Sequence, residues 1–294
     1  FSSRLPDDRG YLLFSCGGRN TICTWLLSAD ASAFSPAVIP SSQCALRACL
    51  PVRSASNTID GGDQRFMAVD ALALGAAGWL AAVGDSQGSV ELYAVDGALA
   101  LSRVFSSVVH ATPVLCVRFC VVEEAFLLVA GTAAGDLVVV NCNEEVAAIT
   151  GRALPVPAQK TWVFPEVHVI GVNDLAVRRA GDCVTCVSVG DDQTARVTVL
   201  RVADQTVVCE AKTTLPAVSG TSVRGVAWVG DDVFLTGWEQ TVQRWSWREN
   251  ALQFVGKVDV QVPETGCIDV AACGERVWGS VCGAMGFEVF DLSI

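Results

Sequence analysis

One pattern recurs along the chain: an apolar run, a glycine or other small residue, a polar turn and a second apolar run. It reads YLLFSCGGRNTICTWLL at 11–27, WLAAVGDSQGSVELYAV at 79–95 and FLLVAGTAAGDLVVVNC at 126–142. It returns as VTCVSVGDDQTARVTVLRV at 184–202, VFLTGWEQTVQRWSW at 233–247 and VWGSVCGAMGFEVFDLS at 277–293. Each instance predicts a strand, a tight turn and a second strand. Gly84, Gly131, Gly190 and Gly237 anchor four of them, at spacings of 47, 59 and 47 residues. A further strand precedes each hairpin. The runs AVDALAL (68–74) and CIDVAAC (267–273) fill that slot in two repeats. His110, His168 and Ser219 each stand shortly before it in three others. Units of about 40–60 residues with about four strands are the blades of a β-propeller.

The predicted fold is all-β: a single propeller over residues 1–294, of six to seven four-stranded blades. Six blades are visible, and a seventh is allowed across the chain ends. The gap of 68 residues from Cys16 to Gly84 predicts an inserted surface loop over 31–62, rich in Ala, Ser and Pro. The first hairpin begins at Tyr11 and the last strand ends near Leu292. The partner strand of the last blade is therefore expected upstream, and the chain, opening on Phe1, reads as part of a longer protein.

Composition narrows the functional classes. At 51% apolar and 17% charged, the chain is built for a buried core and not for disorder. Its net charge of -11 disfavours bulk electrostatic binding of nucleic acid. The cations are 17 Arg against 3 Lys, which suits paired contacts over a diffuse coat. The apolar run Ala71–Gly84 covers 14 residues and is broken by Gly75 and Gly78. A membrane helix needs about 20, so no membrane partner is expected. Thirteen Cys, an odd number scattered through apolar runs, read as reduced thiols and a cytoplasmic location.

Catalytic chemistry is thin. The two histidines, His110 and His168, hold the same repeat position, which assigns both a hydrogen bond to a neighbouring blade. Cys183 and Cys186 form a C-x-x-C inside a strand, where alternation sets them on opposite faces, and no second pair completes a zinc site. Cys116 and Cys120 share a face and read as core. Asp191-Asp192 and Asp231-Asp232 fall at turns. No cluster of acids is foreseen around a central channel, and no cofactor or metal is expected. Trp238 lies in a turn, where an exposed indole can anchor a partner. Arg178 and Arg179 form the one Arg pair, in the turn expected after GVNDLAV (171–177), and Arg19 sits at a hairpin tip.

The repeats resemble the WD-repeat family. The Trp that closes the second hairpin strand is kept at Trp25 and Trp245, and the His before the first strand at His110 and His168. The acid that pairs with that His aligns with Ala134 in the His110 repeat, so the network is expected to be incomplete there. LLFSCGGR (12–19), DQRFMAVDAL (63–72), GVNDLAV (171–177), EQTVQRWSW (239–247) and GAMGFEVFDL (283–292) resemble, in order, the C-terminal propeller of one subfamily. It is the WD-repeat protein six family, the large subunit of the FtsJ-type tRNA ribose methyltransferase. The resemblance implies a non-catalytic subunit that binds and positions tRNA for 2′-O-methylation of the wobble nucleotide. The partner enzyme would hold S-adenosylmethionine. It also implies Arg19 and Arg65 as contact candidates. The other reading is a general WD-repeat scaffold or substrate receptor, in a ubiquitin ligase or a trafficking complex.

Overall fold

The computed structural model describes residues 2–4, 10–17, 20–28, 44–50, 64–203, 206–215, 218–273 and 276–292. Six antiparallel sheets follow one another, and within each the strand order is the chain order. Blade 1 holds β1 (Ser2–Arg4), β2 (Gly10–Gly17), β3 (Thr21–Ser28) and β4 (Cys44–Leu50). Blade 2 holds β5 (Phe66–Ala73), β6 (Trp79–Asp85), β7 (Ser89–Val95) and β8 (Leu101–Val108). Blade 3 holds β9 (Val114–Val122), β10 (Ala125–Thr132), β11 (Leu137–Asn141) and β12 (Thr161–Phe164). Blade 4 holds β13 (Val172–Ala180), β14 (Cys183–Gly190), β15 (Ala195–Ala203) and β16 (Thr206–Leu215). Blade 5 holds β17 (Val223–Val229), β18 (Asp232–Gly237), β19 (Thr241–Arg248) and β20 (Ala251–Asp259). Blade 6 holds β21 (Cys267–Cys273), β22 (Arg276–Gly283) and β23 (Gly286–Asp291), three strands among the described residues. The chain is a six-bladed β-propeller.

The sequence pattern follows from where each strand sits. A second strand lies between two neighbouring blades and is covered on both faces. β6 is accordingly buried at every residue, and β10 and β14 at all but their first. Outer strands meet water, so β8 and β20 are largely exposed. The buried side chains form five cores, each between consecutive blades. A fully buried Leu or Val in them contributes roughly 1.5–3 kcal/mol. The remaining faces of blades 1 and 6 leave Tyr11, Leu46, Phe287 and Val289 exposed.

The glycine anchors have a packing cause. A Cβ on Gly84 would collide with Val114 of the next blade, and one on Gly131 with Val172 of the blade after. Inner strands approach so closely that a side chain is excluded there.

Three features depart from the sequence reading. Cys44–Leu50, inside the segment expected as an inserted loop, forms β4, the outer strand of blade 1. The rest of 31–62 lies outside the described residues. Arg178 and Arg179 belong to β13 and not to the turn after it, because pairing with β14 continues to Ala180↔Cys183. A helix, α1 (Asn143–Thr150), interrupts blade 3 and ends on Gly151 in the left-handed region, with φ 70°.

Candidate functional site

Each inner strand pairs with one neighbour only, so its other edge faces the central channel. Ala68, Cys116, Val172, Val223 and Cys267 stand opposite Gly84, Gly131, Gly190, Gly237 and Cys282. Two residues further on in each strand come Asp70, Arg118, Asp174, Gly225 and Asp269. Three of these are acids, and all three lie close enough to the Arg118 guanidinium to favour its charge. This corrects the expectation that no acids gather there. No fixed offset from the glycine anchors marks them, because a bulge near the start of the inner strand shifts the pairing in blades 2 to 5.

These side chains latch blade to blade. The Phe119 N–H of blade 3 donates to Asp70 Oδ2 of blade 2 (2.7 Å), and the Val226 N–H of blade 5 to Asp174 Oδ2 of blade 4 (3.1 Å). Arg118 Nη2 donates to Asp174 Oδ1 at 2.9 Å, and Nη1 to the Val117 carbonyl at 2.8 Å. Burial raises the Asp70 and Asp174 carboxyl pKa values, against the opposing pull of these hydrogen bonds and of Arg118. Burial also disfavours the Arg118 charge, but Asp174 and Asp70 outweigh it and raise its pKa. Arg118 supplies the positive charge that these acids need. Among the described residues, no group of three or more His, Cys, Asp or Glu is arranged to hold a metal.

Both histidines serve the framework. His168 is 2% exposed, with Nδ1 2.9 Å from Asp192 Oδ1 and Nε2 2.9 Å from Ser188 Oγ. His110 Nδ1 accepts the Thr112 N–H at 3.1 Å, so Nε2 carries the proton and donates to Asp136 Oδ2 at 3.0 Å. The acid missing at Ala134 is thus supplied by Asp136, two residues on, and the network there is complete.

These networks carry a pH dependence. Burial lowers the His168 pKa below its ordinary 6.5, although Asp192 opposes the shift. The unfolded chain then binds more protons between those two values. This contribution to stability is full above about pH 6.5 and is lost on acidification. Asp192, whose pKa its Thr194 and His168 hydrogen bonds lower despite burial, adds a loss below its ordinary 3.8. Asp70 and Asp174, with raised values, have the opposite sign, their contribution being full below 3.8 and lost as pH rises through their folded values. The thermal midpoint is therefore expected to fall from pH 7 to pH 5 in a fluorescence melt. His168→Asn should flatten that slope, and an unchanged slope would remove His168 as its cause.

The surface candidates separate. Trp238, in the turn after β18, is 51% exposed. The Arg224 guanidinium sits 4.7 Å from its ring centre. Arg224 is in turn held by Asp191 Oδ1 and Asn173 Oδ1, each at 3.3 Å. Although burial opposes it, hydrogen bonds from Ser222 and Asn173, with Arg224 nearby, lower the Asp191 pKa. Arg224 and Asp191 were missed in the sequence because they lie in different blades. Arg178 pairs with Asp231 at 2.8 Å and stacks over Trp228 at 5.6 Å, and Arg179 Nε donates to the Gly181 carbonyl. Arg65 precedes β5, whereas Arg178 and Arg179 end β13, so they lie at opposite ends of the ring. Arg19 lies outside the described residues. Cys186 is buried, which pushes its thiol up, and Cys183 is half-buried on the other face.

No family model matches the chain, and no curated protein sequence does. Among solved structures 1118 chains match, so the architecture is too widespread to assign a function by itself. One match is a chain in the crystal structure of the mitotic checkpoint complex. It is 14% identical with a TM-score of 0.56, over 94% of this chain and 74% of that one. Likeness at that identity concerns the β-propeller fold alone.

Proposed function

We propose that the chain is a non-catalytic interaction platform, and that it serves as the WD-repeat subunit of an FtsJ-type tRNA ribose methyltransferase. The platform reading is carried by Trp238. A half-exposed indole, fixed by Arg224 and through it by Asp191 and Asn173, is preorganised to bury against a protein partner. The finer reading rests on the ordered motifs from LLFSCGGR to GAMGFEVFDL. In it the partner enzyme holds S-adenosylmethionine and the catalytic groups, and this chain positions the tRNA wobble ribose mainly through protein contacts, as the charge of -11 favours.

A pull-down of the protein, with mass spectrometry of its partners and of wobble-ribose methylation in cells lacking it, tests both levels. The expected result is an FtsJ-type enzyme in the pull-down and loss of the methyl group. Intact methylation with an unrelated partner would overturn the finer reading. A general scaffold or substrate receptor would then take its place, a class favoured by the structural neighbour from a multiprotein checkpoint assembly. Trp238→Ala is expected to weaken partner capture at least tenfold with the melting temperature unchanged, since loss of an anchor aromatic costs about 2 kcal/mol or more in binding. Retained capture would exclude Trp238 as the anchor.

A further inference from the structure

A cavity of about 330 Å³ opens between blades 1 and 2, away from the channel and from Trp238. Its volume lies at the lower end of ligand clefts, roughly 300–1,000 Å³. Leu50 and Phe66 form apolar wall, and Asn20, Glu91, Tyr93 and Arg103 bring polar groups to it.

The hydrogen bonds determine what those groups present. Asp85 accepts the Gln87 and Ser89 N–H groups on Oδ1, both at 2.8 Å, and the Gln64 amide on Oδ2 at 2.5 Å. A carboxylate only accepts, so the Gln64 NH₂ faces Asp85 and its Oε1 faces Asn20. That oxygen takes the Asn20 NH₂ at 2.9 Å. The relay leaves Asn20 Oδ1 as an obligate acceptor. It is buried and has no partner, a condition that costs about 1–3 kcal/mol when unrelieved.

Glu91 is 6% exposed and sits beside it in the lining. Tyr93 donates to Glu91 Oε2 at 2.5 Å, and Arg103 Nη1 approaches the same oxygen at 3.5 Å. Burial and Glu91 raise the Tyr93 phenol pKa, so the phenol remains a donor. Among the described residues both contacts use Oε2, which leaves Oε1 for a ligand. The Arg103 side chain is 58% exposed.

The cavity thus offers an acceptor for a cationic amine, a mobile guanidinium for an anion, and an apolar wall between them. We propose that it binds a free α-amino acid with an aliphatic side chain. The ammonium lies on Glu91 Oε1, the carboxylate on Arg103 and the side chain against Leu50 and Phe66. Such a ligand is electroneutral, as is the Glu91–Arg103 pair that receives it.

Isothermal titration calorimetry of the whole 294-residue chain with three isosteric probes tests this. The probes are L-leucine, its decarboxylated analogue isopentylamine and its deaminated analogue 4-methylpentanoate. Saturable leucine binding is expected, at least tenfold tighter than either fragment. Arg103→Ala should reduce leucine affinity at least tenfold, to the level of isopentylamine, and Glu91→Gln should do the same. Arg103 is mostly exposed, so its variant decides the matter should Glu91→Gln fail to fold by circular dichroism. Absence of saturation with leucine and every other aliphatic amino acid overturns the proposal. So does equal binding of a fragment, or an unchanged affinity in Arg103→Ala.

Discussion

Arg118→Ala is expected to destabilise the propeller by about 3 kcal/mol, measured as the shift of the urea unfolding midpoint multiplied by the slope. Removing one member of a buried pair costs roughly 3–5 kcal/mol because the other charge is left uncompensated. The lower end applies because a third of the Arg118 side chain remains in contact with water. The charge left behind is Asp174, 13% exposed and tied to the blade 5 backbone through Val226. Loss of Arg118 therefore loosens the join between blades 3 and 4 and strands the acid that joins 4 to 5. Combining Arg118→Met with Asp174→Leu should lose at least 1 kcal/mol less than the two changes summed. Strict additivity would show that the two side chains act separately and would end the latch account.

Gly131→Val should have an effect of similar size for a steric reason. A Cβ at Gly131 points at Val172 of the next blade and at the Cys116 sulfur. Cys116 is 3% exposed and Val172 is fully buried, so neither has space to retreat. Overpacking in such a core costs about 1–3 kcal/mol, and here the upper figure is expected because two rigid neighbours are struck together. Gly256→Ala is the control. Nothing lies within 4 Å of its Cβ position, so a change within about 0.5 kcal/mol is expected. Equal effects at the two sites would mean that backbone freedom, and not blade packing, keeps glycine at 131.

The strands were legible in the chain because their burial is extreme. β6, β10 and β14 are covered on both faces, so they appear as unbroken apolar runs followed by turn residues. The outer strand β4 was not legible. Its pattern has no fully buried position, since one edge of the blade faces water, and CALRACL carries no alternation to set it apart from loop. Helix α1 was missed for a related reason. It is held by Asn143, which accepts the Phe126 N–H and donates to the Glu124 and Pro155 carbonyls, contacts that no local periodicity records.

The sequence by itself determined the blade architecture and the position of Trp238 in a turn. Both follow from local rules, namely unbroken apolar runs, turn chemistry and a recurring strand–turn–strand unit. Only the tertiary structure decided which charges meet. The pairs Asp70–Phe119, Arg118–Asp174 and Arg224–Asn173 are 49, 56 and 51 residues apart in sequence, each across a blade boundary. Closing the ring brings successive inner strands side by side, and a two-residue shift in register exchanges one channel residue for the next. The acids of the channel became a group only when the blades were assembled.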